Sequence, residues 1–351
     1  MLSTTSNKFV IAPLLVLAAF FRPVPKTLSL YEAVEPHMGT LFRIKVYAPD
    51  QISAQRGFQA AFERIDQLDK IFSDYRPESE LSRITQEALG HPVRVSEDLF
   101  RVAQASEQLS IGTGGAFDLT IGPLTHLWRQ ARQDHRLPQA EAVQSAIVRC
   151  GYTKMHLDTA ARTVQFDAPQ MLLDAGGIAK GYAADEAVMV LAKLGLHSAL
   201  VAASGDLALS DAPPGQTGWK IGIDSFDRAD KPFTHVLMLS NAAVSTSGNG
   251  EQHLNSGGKT YSHIIDPKTG MGLQDDVTVT AISRHGITAD AAATAISVLG
   301  CERGLAYAES QPNLAVFILV KSDGRVKSFE SARFQELLHD NSFKETGESD
   351  R

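Results

Sequence analysis

Thr288–Gly300 reads TADAAATAISVLG, a helix of small apolar residues set between two runs with the texture of strands. VTVTAIS (Val277–Ser283) precedes it and LAVFILV (Leu314–Val320) follows it. Upstream, from about Lys154, short strand-like runs dominate: KMHLD, TVQFD, MLLD, SALVAA, WKIGI, THVLMLS, AVSTS and YSHII. Two helices interrupt this half, one from Ile178 to Leu194 and one from about Ala289 to Leu299. The first half reads differently. TLFRIKVYA (Thr40–Ala48) alternates as a strand, and Phe58, Phe62, Ile65, Leu68 and Phe72 then recur at helical spacing as one apolar stripe. Tyr75 onward is a loop leading to a short turn. Ser96 begins a helix reaching about Ser110, and Thr120–Arg132 and Pro138–Arg149 read as two more. A helix-rich N-terminal part packed on a strand-rich C-terminal part is an α+β chain, not an alternating βαβ one.

Asp290 and Thr294 stand four residues apart in the quoted stretch, so on a helix their oxygens share a face. Two explanations stand. Thr288 or Asp290 caps the helix start, or the carboxylate and hydroxyl form a hard-cation site suited to Mg²⁺ or Ca²⁺.

The 351 residues are 43% hydrophobic and 21% charged, with a net charge of −7, which is ordinary globular composition. No basic, aromatic-interleaved run is present, so nucleic acid is not an expected partner. Lys8 precedes the 13-residue apolar run Phe9–Phe21, followed by RPVPK. That layout predicts a signal peptide or N-terminal anchor over residues 1–25 and an exported protein. The run is short for a membrane span. Residues 30–335 are expected to form one domain and 341–351 a polar tail. The two cysteines, Cys150 and Cys301, are too few for a zinc motif, and their pairing is open.

Four segments are rich in Gly, Asp, Ser, Thr and His although strands flank them. In GGAFDLTIGPL (Gly114–Leu124) the glycines allow close backbone approach to a ligand. In LLDAGGIAKGYAADEA (Leu172–Ala187) a strand ends at Asp174, turns through Gly176 and Gly177, and enters a helix carrying Lys180. Such a turn suits an anion, although neither GxxxxGK[ST] nor GxGxxG spacing is present. YSHIIDPKTG (Tyr261–Gly270) holds a turn and, two residues into an apparent strand, His263, which is either a packed histidine or a general base. The fourth segment is Thr288–Gly300 itself.

Taken in order, HMGT (His37–Thr40), YRPESELSRI (Tyr75–Ile84), GGAFDLTIGPL, DAGGIAKGYAAD, SGD, STSGN, SHIIDPKTG and TADAAATA resemble the successive motifs of the ApbE family of FAD:protein FMN transferases. The resemblance runs from about His37 to the early 300s. It implies an ApbE-like fold and an enzyme that cleaves FAD at its pyrophosphate, moves FMN onto a Thr or Ser hydroxyl of a target protein and releases AMP. It implies Mg²⁺ as cofactor, held by Asp290, Thr294 and carbonyls near Ala293 and Gly177. FAD contacts map by resemblance onto Met38, Tyr75, Ala116, Phe117, Asp118, Asp174, Lys180 and Ile265, with His263 as the base. Tyr75 and Phe117 offer flat faces for a ring, or core packing. The implied partners are flavoprotein subunits of membrane electron-transfer complexes on the periplasmic side, with membrane association through the leader. No cysteine for a lipid anchor follows the leader. Two other readings remain: an Mg²⁺-dependent FAD pyrophosphatase giving FMN and AMP, and a periplasmic flavin-binding protein without turnover.

Overall fold

The computed structural model describes residues 27–224, 233–248, 253–322 and 325–345. The expected leader, Asn249 of the STSGN motif and the end of the polar tail lie outside these residues. Among the described residues no helix is long and apolar enough to cross a membrane.

The organising element is an eight-stranded, wholly antiparallel sheet. Its order is Ser29–His37, Thr40–Ala48, Ala199–Ala203, Asp206–Leu209, Ala242–Gly248, Asp276–Ser283, Ala315–Ser322 and Arg325–Glu330. The fold is thus α+β, with strands from both ends of the chain in one sheet. Thr40–Ala48, next to the edge strand and paired on both sides, buries Phe42, Ile44 and Val46 completely. Each such side chain contributes roughly 1.5–3 kcal/mol.

The helices are α1 Gln51–Phe72, α2 Glu80–Glu87, α3 Glu97–Thr113, α4 Gly122–Gln133, α5 Ala140–Ile147, α6 Ala179–Lys193, α7 Gly286–Ser310 and α8 Ala332–Glu345. On one face of the sheet lie α6 and α7, with α1 packed on α6 and α3 on α7. The apolar stripe of α1 is buried there through Phe62, Ile65, Leu68 and Phe72. On the other face, the hairpin of Trp219–Asp224 and Phe233–Leu239 and the start of α8 close a second core with Phe317 and Phe334.

Several local expectations change. The strand Ser29–His37 was not anticipated, because its sequence mixes charge and proline with apolar residues. YRPESELS leads into the true helix α2, with Ser79 accepting from Ser82 N–H at its start. MLLD forms only an isolated bridge between Leu172 and Ile121. The helix expected over Ala289–Leu299 begins at Gly286 and is followed by further helix to Ser310, the two broken at Gly300, whose φ of 75° suits glycine. Helix α8 continues to Glu345, into the segment read as a polar tail. Cys150 and Cys301 are both free thiols.

Candidate functional site

The turns at one end of the sheet and the starts of α6 and α7 enclose a cavity of about 1720 Å³. It is lined by Met38, Tyr75, Ala116, Phe117, Asp118, Asp174, Gly177, Lys180, His263, Ile265, Asp290 and Thr294. These residues come from six separate stretches of chain. Ala293 is the one expected site residue outside the lining; it is fully buried in the α7 core.

The floor is set by how closely α6 and α7 cross. A Cβ on Gly181 would stand 2.1 Å from Gly286 O, and one on Gly286 would stand 2.3 Å from Gly181 O. Only glycine at both positions allows this approach. The contact brings Asp290 Oδ2 to 3.0 Å from Gly181 N–H, a first-turn donor of α6 with no partner in its own helix. Asp185 on α6 accepts in turn from Gly286 and Ile287 N–H at 2.7 and 3.1 Å. The expected capping of α7 by Thr288 or Asp290 is therefore wrong in direction. Both residues lie inside the helix, and Asp290 caps its neighbour.

Lys180 projects from the first turn of α6 between two carboxylates. Its Nζ is 2.5 Å from Asp206 Oδ2 and 3.7 Å from Asp290 Oδ2. Burial disfavours the ammonium, but the charges of Asp290 and Asp206 outweigh this and hold it well above the ordinary lysine range. Asp206 Oδ1 accepts from Ser245 Oγ at 2.5 Å, across the registered pair Ser245–Asp206. Burial, then the Asp206 charge, push Asp290 up, against the pull of Lys180. Two buried carboxylates thus face one ammonium. Thr294 stands one helical turn from Asp290, and a Cβ on Gly177 would meet Thr294 Oγ1 at 3.0 Å. Glycine at 177 keeps its backbone against that hydroxyl.

Asp118 and Asp174 line the cavity and also hold their loops. Asp118 accepts from Thr120 N–H, Thr120 Oγ1 and Tyr152 N–H, so both its oxygens are occupied by protein donors. Asp174 accepts from Gly176 N–H at 2.7 Å and Arg129 Nη2 at 3.0 Å. Arg129 also pairs with Asp74 and lies over the Tyr75 ring, 4.5 Å from its centroid. Tyr75 is 75% exposed at the cavity wall, so it is not a core residue, whereas Phe117 is buried with its ring edge toward Gly177.

His263 is not within a strand. The strand Lys259–Ser262 ends before it, and His263 sits exposed at the following bend, on the cavity wall. Its loop is anchored at the far end, where Trp128 Nε1 donates to Gly270 O at 2.8 Å and Asp266 forms the expected turn with Lys268 N–H. Ile265 is buried behind it.

Sequence reasoning passed over Asp206, Asp185, Arg129 and Arg132. Asp206 lay within the quoted SGD motif, read only as a polar turn. The arginines carried a readable signal: Thr125, Arg129 and Arg132 recur at helical spacing beside the apolar stripe of Leu124, Trp128 and Ala131.

Among the described residues no three His, Cys, Asp or Glu side chains cluster as a metal site. A divalent hard cation does not require such a cluster when hydroxyl and carbonyl oxygens contribute. The excess carboxylate charge beside Lys180, with Thr294 and the Gly177 backbone adjoining, fits one.

The sheet, the close-crossed helix pair and the large cavity beside them define an α+β protein with a candidate ligand site. The chain belongs to the ApbE family, whose model matches residues 38–318. It is 31% identical over 333 residues to the FAD:protein FMN transferase of Vibrio cholerae, covering 93% of this chain and 97% of that one. It is likewise 31% identical to the FAD:protein FMN transferase of Treponema pallidum, over 85% and 86% of the two chains. The fold matches the apo flavinyl transferase ApbE of Pseudomonas stutzeri with a TM-score of 0.79 and 30% identity, over 89% of this chain and 97% of that one. It matches the flavin transferase ApbE of Vibrio cholerae with a TM-score of 0.80 and 29% identity, over 89% and 100%.

Proposed function

We propose that this protein is an FAD:protein FMN transferase, moving FMN from FAD to a Thr or Ser hydroxyl of a target flavoprotein and releasing AMP with the help of Mg²⁺. The observation that carries the chemistry is the Lys180–Asp206–Asp290 cluster with Thr294 beside it. The names borne by the relatives supply the substrate.

Asp290, Thr294 and backbone carbonyls near Gly177 and Ala293 would hold the cation. Bound there, it would stabilise charge on the phosphate oxygens of the diphosphate. Among the described residues Asp290 meets Gly181 N–H and Lys180 through Oδ2, and Oδ1 would serve such a ligand. Lys180, locked by Asp206, presents a fixed positive charge to the same phosphates. Phosphoryl-type transfer rests mainly on positioning and charge stabilisation, and the cluster offers both. The attacking hydroxyl is weakly acidic, so a base assists. His263, exposed on the wall, is placed to take the proton from a protein hydroxyl arriving from solvent. Met38, Tyr75, Ala116, Phe117 and Ile265 supply apolar and flat surface for the flavin and adenine rings.

The targets are flavoprotein subunits of membrane electron-transfer complexes, met on the periplasmic side. The basic start and apolar run at Lys8–Phe21 support export.

The test is AMP release from FAD by the leader-free chain, followed by chromatography with Mg²⁺ and with EDTA. Release with Mg²⁺, loss with EDTA and loss in Asp290→Asn support the account. FAD left intact with Mg²⁺ would contradict it and favour a binding protein.

A further inference from the structure

Helix α4 presents Thr125, Arg129 and Arg132 to the cavity and buries Leu124, Trp128 and Ala131 behind them. Three arginines line the cavity. Arg76 pairs with Asp69 at 3.3 Å, and Arg129 pairs with Asp74 and Asp174. Arg132, one turn beyond Arg129, has no hydrogen bond or ion pair to any described residue through its side chain. It is nonetheless half-buried.

That arrangement has an electrostatic cost. Burial, then the like charge of Arg129, disfavours the Arg132 cation, against a smaller opposing pull from Tyr75. A guanidinium cannot escape by losing its proton at neutral pH. A place in the last turn of α4 favours a cation through the helix dipole, but that is satisfied equally well with the side chain in open water. It does not account for a guanidinium held in the cavity wall beside a second one. The planar fork matches the two oxygens of a carboxylate or phosphate, and a partly desolvated site strengthens such a pair.

We infer that Arg132 is an oxyanion-binding residue of the cavity, taking a phosphate or carboxylate group of a ligand bound there. The identity of that ligand rests on the transferase function: FAD supplies phosphate, and the acceptor polypeptide supplies carboxylate. Arg129, fixed by Asp74 and Asp174, sets the wall against which Arg132 works. Asp174 in turn holds Gly176 N–H, so the Arg132 side of the cavity is joined to the glycine turn but distinct from the Lys180–Asp290 cluster.

Arg132→Met removes the charge and keeps an apolar stem, and Arg132→Lys keeps the charge without the fork. Each full-length variant is titrated with FAD by flavin fluorescence, and its KM for an acceptor peptide is measured by FMN transfer. Arg132→Met weakens one of these by about tenfold or more, at an unchanged melting temperature. Arg132→Lys recovers part of the loss. Weaker FAD binding identifies the oxyanion as phosphate. A raised acceptor KM with unchanged FAD binding identifies it as carboxylate. The inference is overturned if neither changes, or if the loss follows a fall in melting temperature and Arg132→Lys does not recover it. Should the wild type neither bind FAD nor transfer FMN, the proposed function fails by itself. Calorimetry with inorganic phosphate then decides: weaker uptake by Arg132→Met supports the site, and equal uptake overturns it.

Discussion

Asp185 and Asp290 cap each other's helices. Asp185, on α6, accepts from the Gly286 and Ile287 N–H groups that begin α7, while Asp290, on α7, accepts from Gly181 N–H in the first turn of α6. The exchange is feasible because Gly181 and Gly286 let the two backbones touch. Neither helix has a side-chain cap from its own N-cap residue, Ile178 or His285. The candidate site is therefore built on an inter-helix joint, and its geometry is tied to the packing of that joint.

Gly181→Ala tests the joint. The added methyl would stand 2.1 Å from Gly286 O and 2.8 Å from Asp290 Cβ, so the helices must separate. Overpacking of this kind costs about 3 kcal/mol. Urea melts are expected to show that loss together with lost FMN transfer. A variant as stable as wild type would mean that the helices do not cross this closely.

Asp185 gives the joint a pH dependence. Burial raises its pKa from 3.8 to about 6, against the pull of the two N–H groups. A carboxyl with a raised folded-state pKa keeps its proton longer in the folded protein. Its share of stability is therefore full at low pH and declines as pH rises from about 4 to about 6. Asp185→Asn retains an acceptor oxygen and lacks the titration. Its melting temperature is expected to gain on that of wild type across this window, and a constant difference would contradict the assignment. Asp185→Ala, which loses both caps, is expected to be about 1–2 kcal/mol less stable than Asp185→Asn.

Asp206 holds Lys180 from below, buried and bonded also to Ser245. Asp206→Asn breaks a buried ion pair, a change that costs about 3 kcal/mol. Transfer is expected to fall at least about tenfold as Lys180 loses its fixed position. Ser245→Ala removes one hydrogen bond to the same carboxylate and should cost about 1 kcal/mol. Equal activity in Asp206→Asn and wild type would remove Asp206 from the site.

His263 is exposed on the cavity wall, so His263→Ala should leave FAD affinity unchanged in a variant that still folds. Transfer is expected to slow by about a hundredfold. Weakened FAD binding would instead make His263 a binding residue.

The sequence carried the local parts of this account and little of the long-range part. Periodicity located α1, α6 and the first run of α7, and the glycine-rich turns located the cavity wall. The i, i+4 spacing of Asp290 and Thr294 survived as geometry. What Asp290 bonds to was hidden, because Gly181 is 109 residues away and only the crossing of two helices joins them. Asp118 and Asp174 are expected FAD contacts only through the family resemblance, and both line the cavity. Their bonds to Thr120 and Gly176 are local, but those to Tyr152 N–H and Arg129 were hidden because the partners lie 34 and 45 residues away. The strand Ser29–His37 was missed because it sits at the sheet edge, where Glu32, Val34 and Glu35 face solvent and blur the alternation.

The most direct test of the central claim is the intact mass of an acceptor polypeptide incubated with the leader-free chain, FAD and Mg²⁺. The acceptor is expected to gain the mass of one FMN, and EDTA to abolish that gain. AMP and free FMN with an unmodified acceptor would contradict transfer and leave a pyrophosphatase.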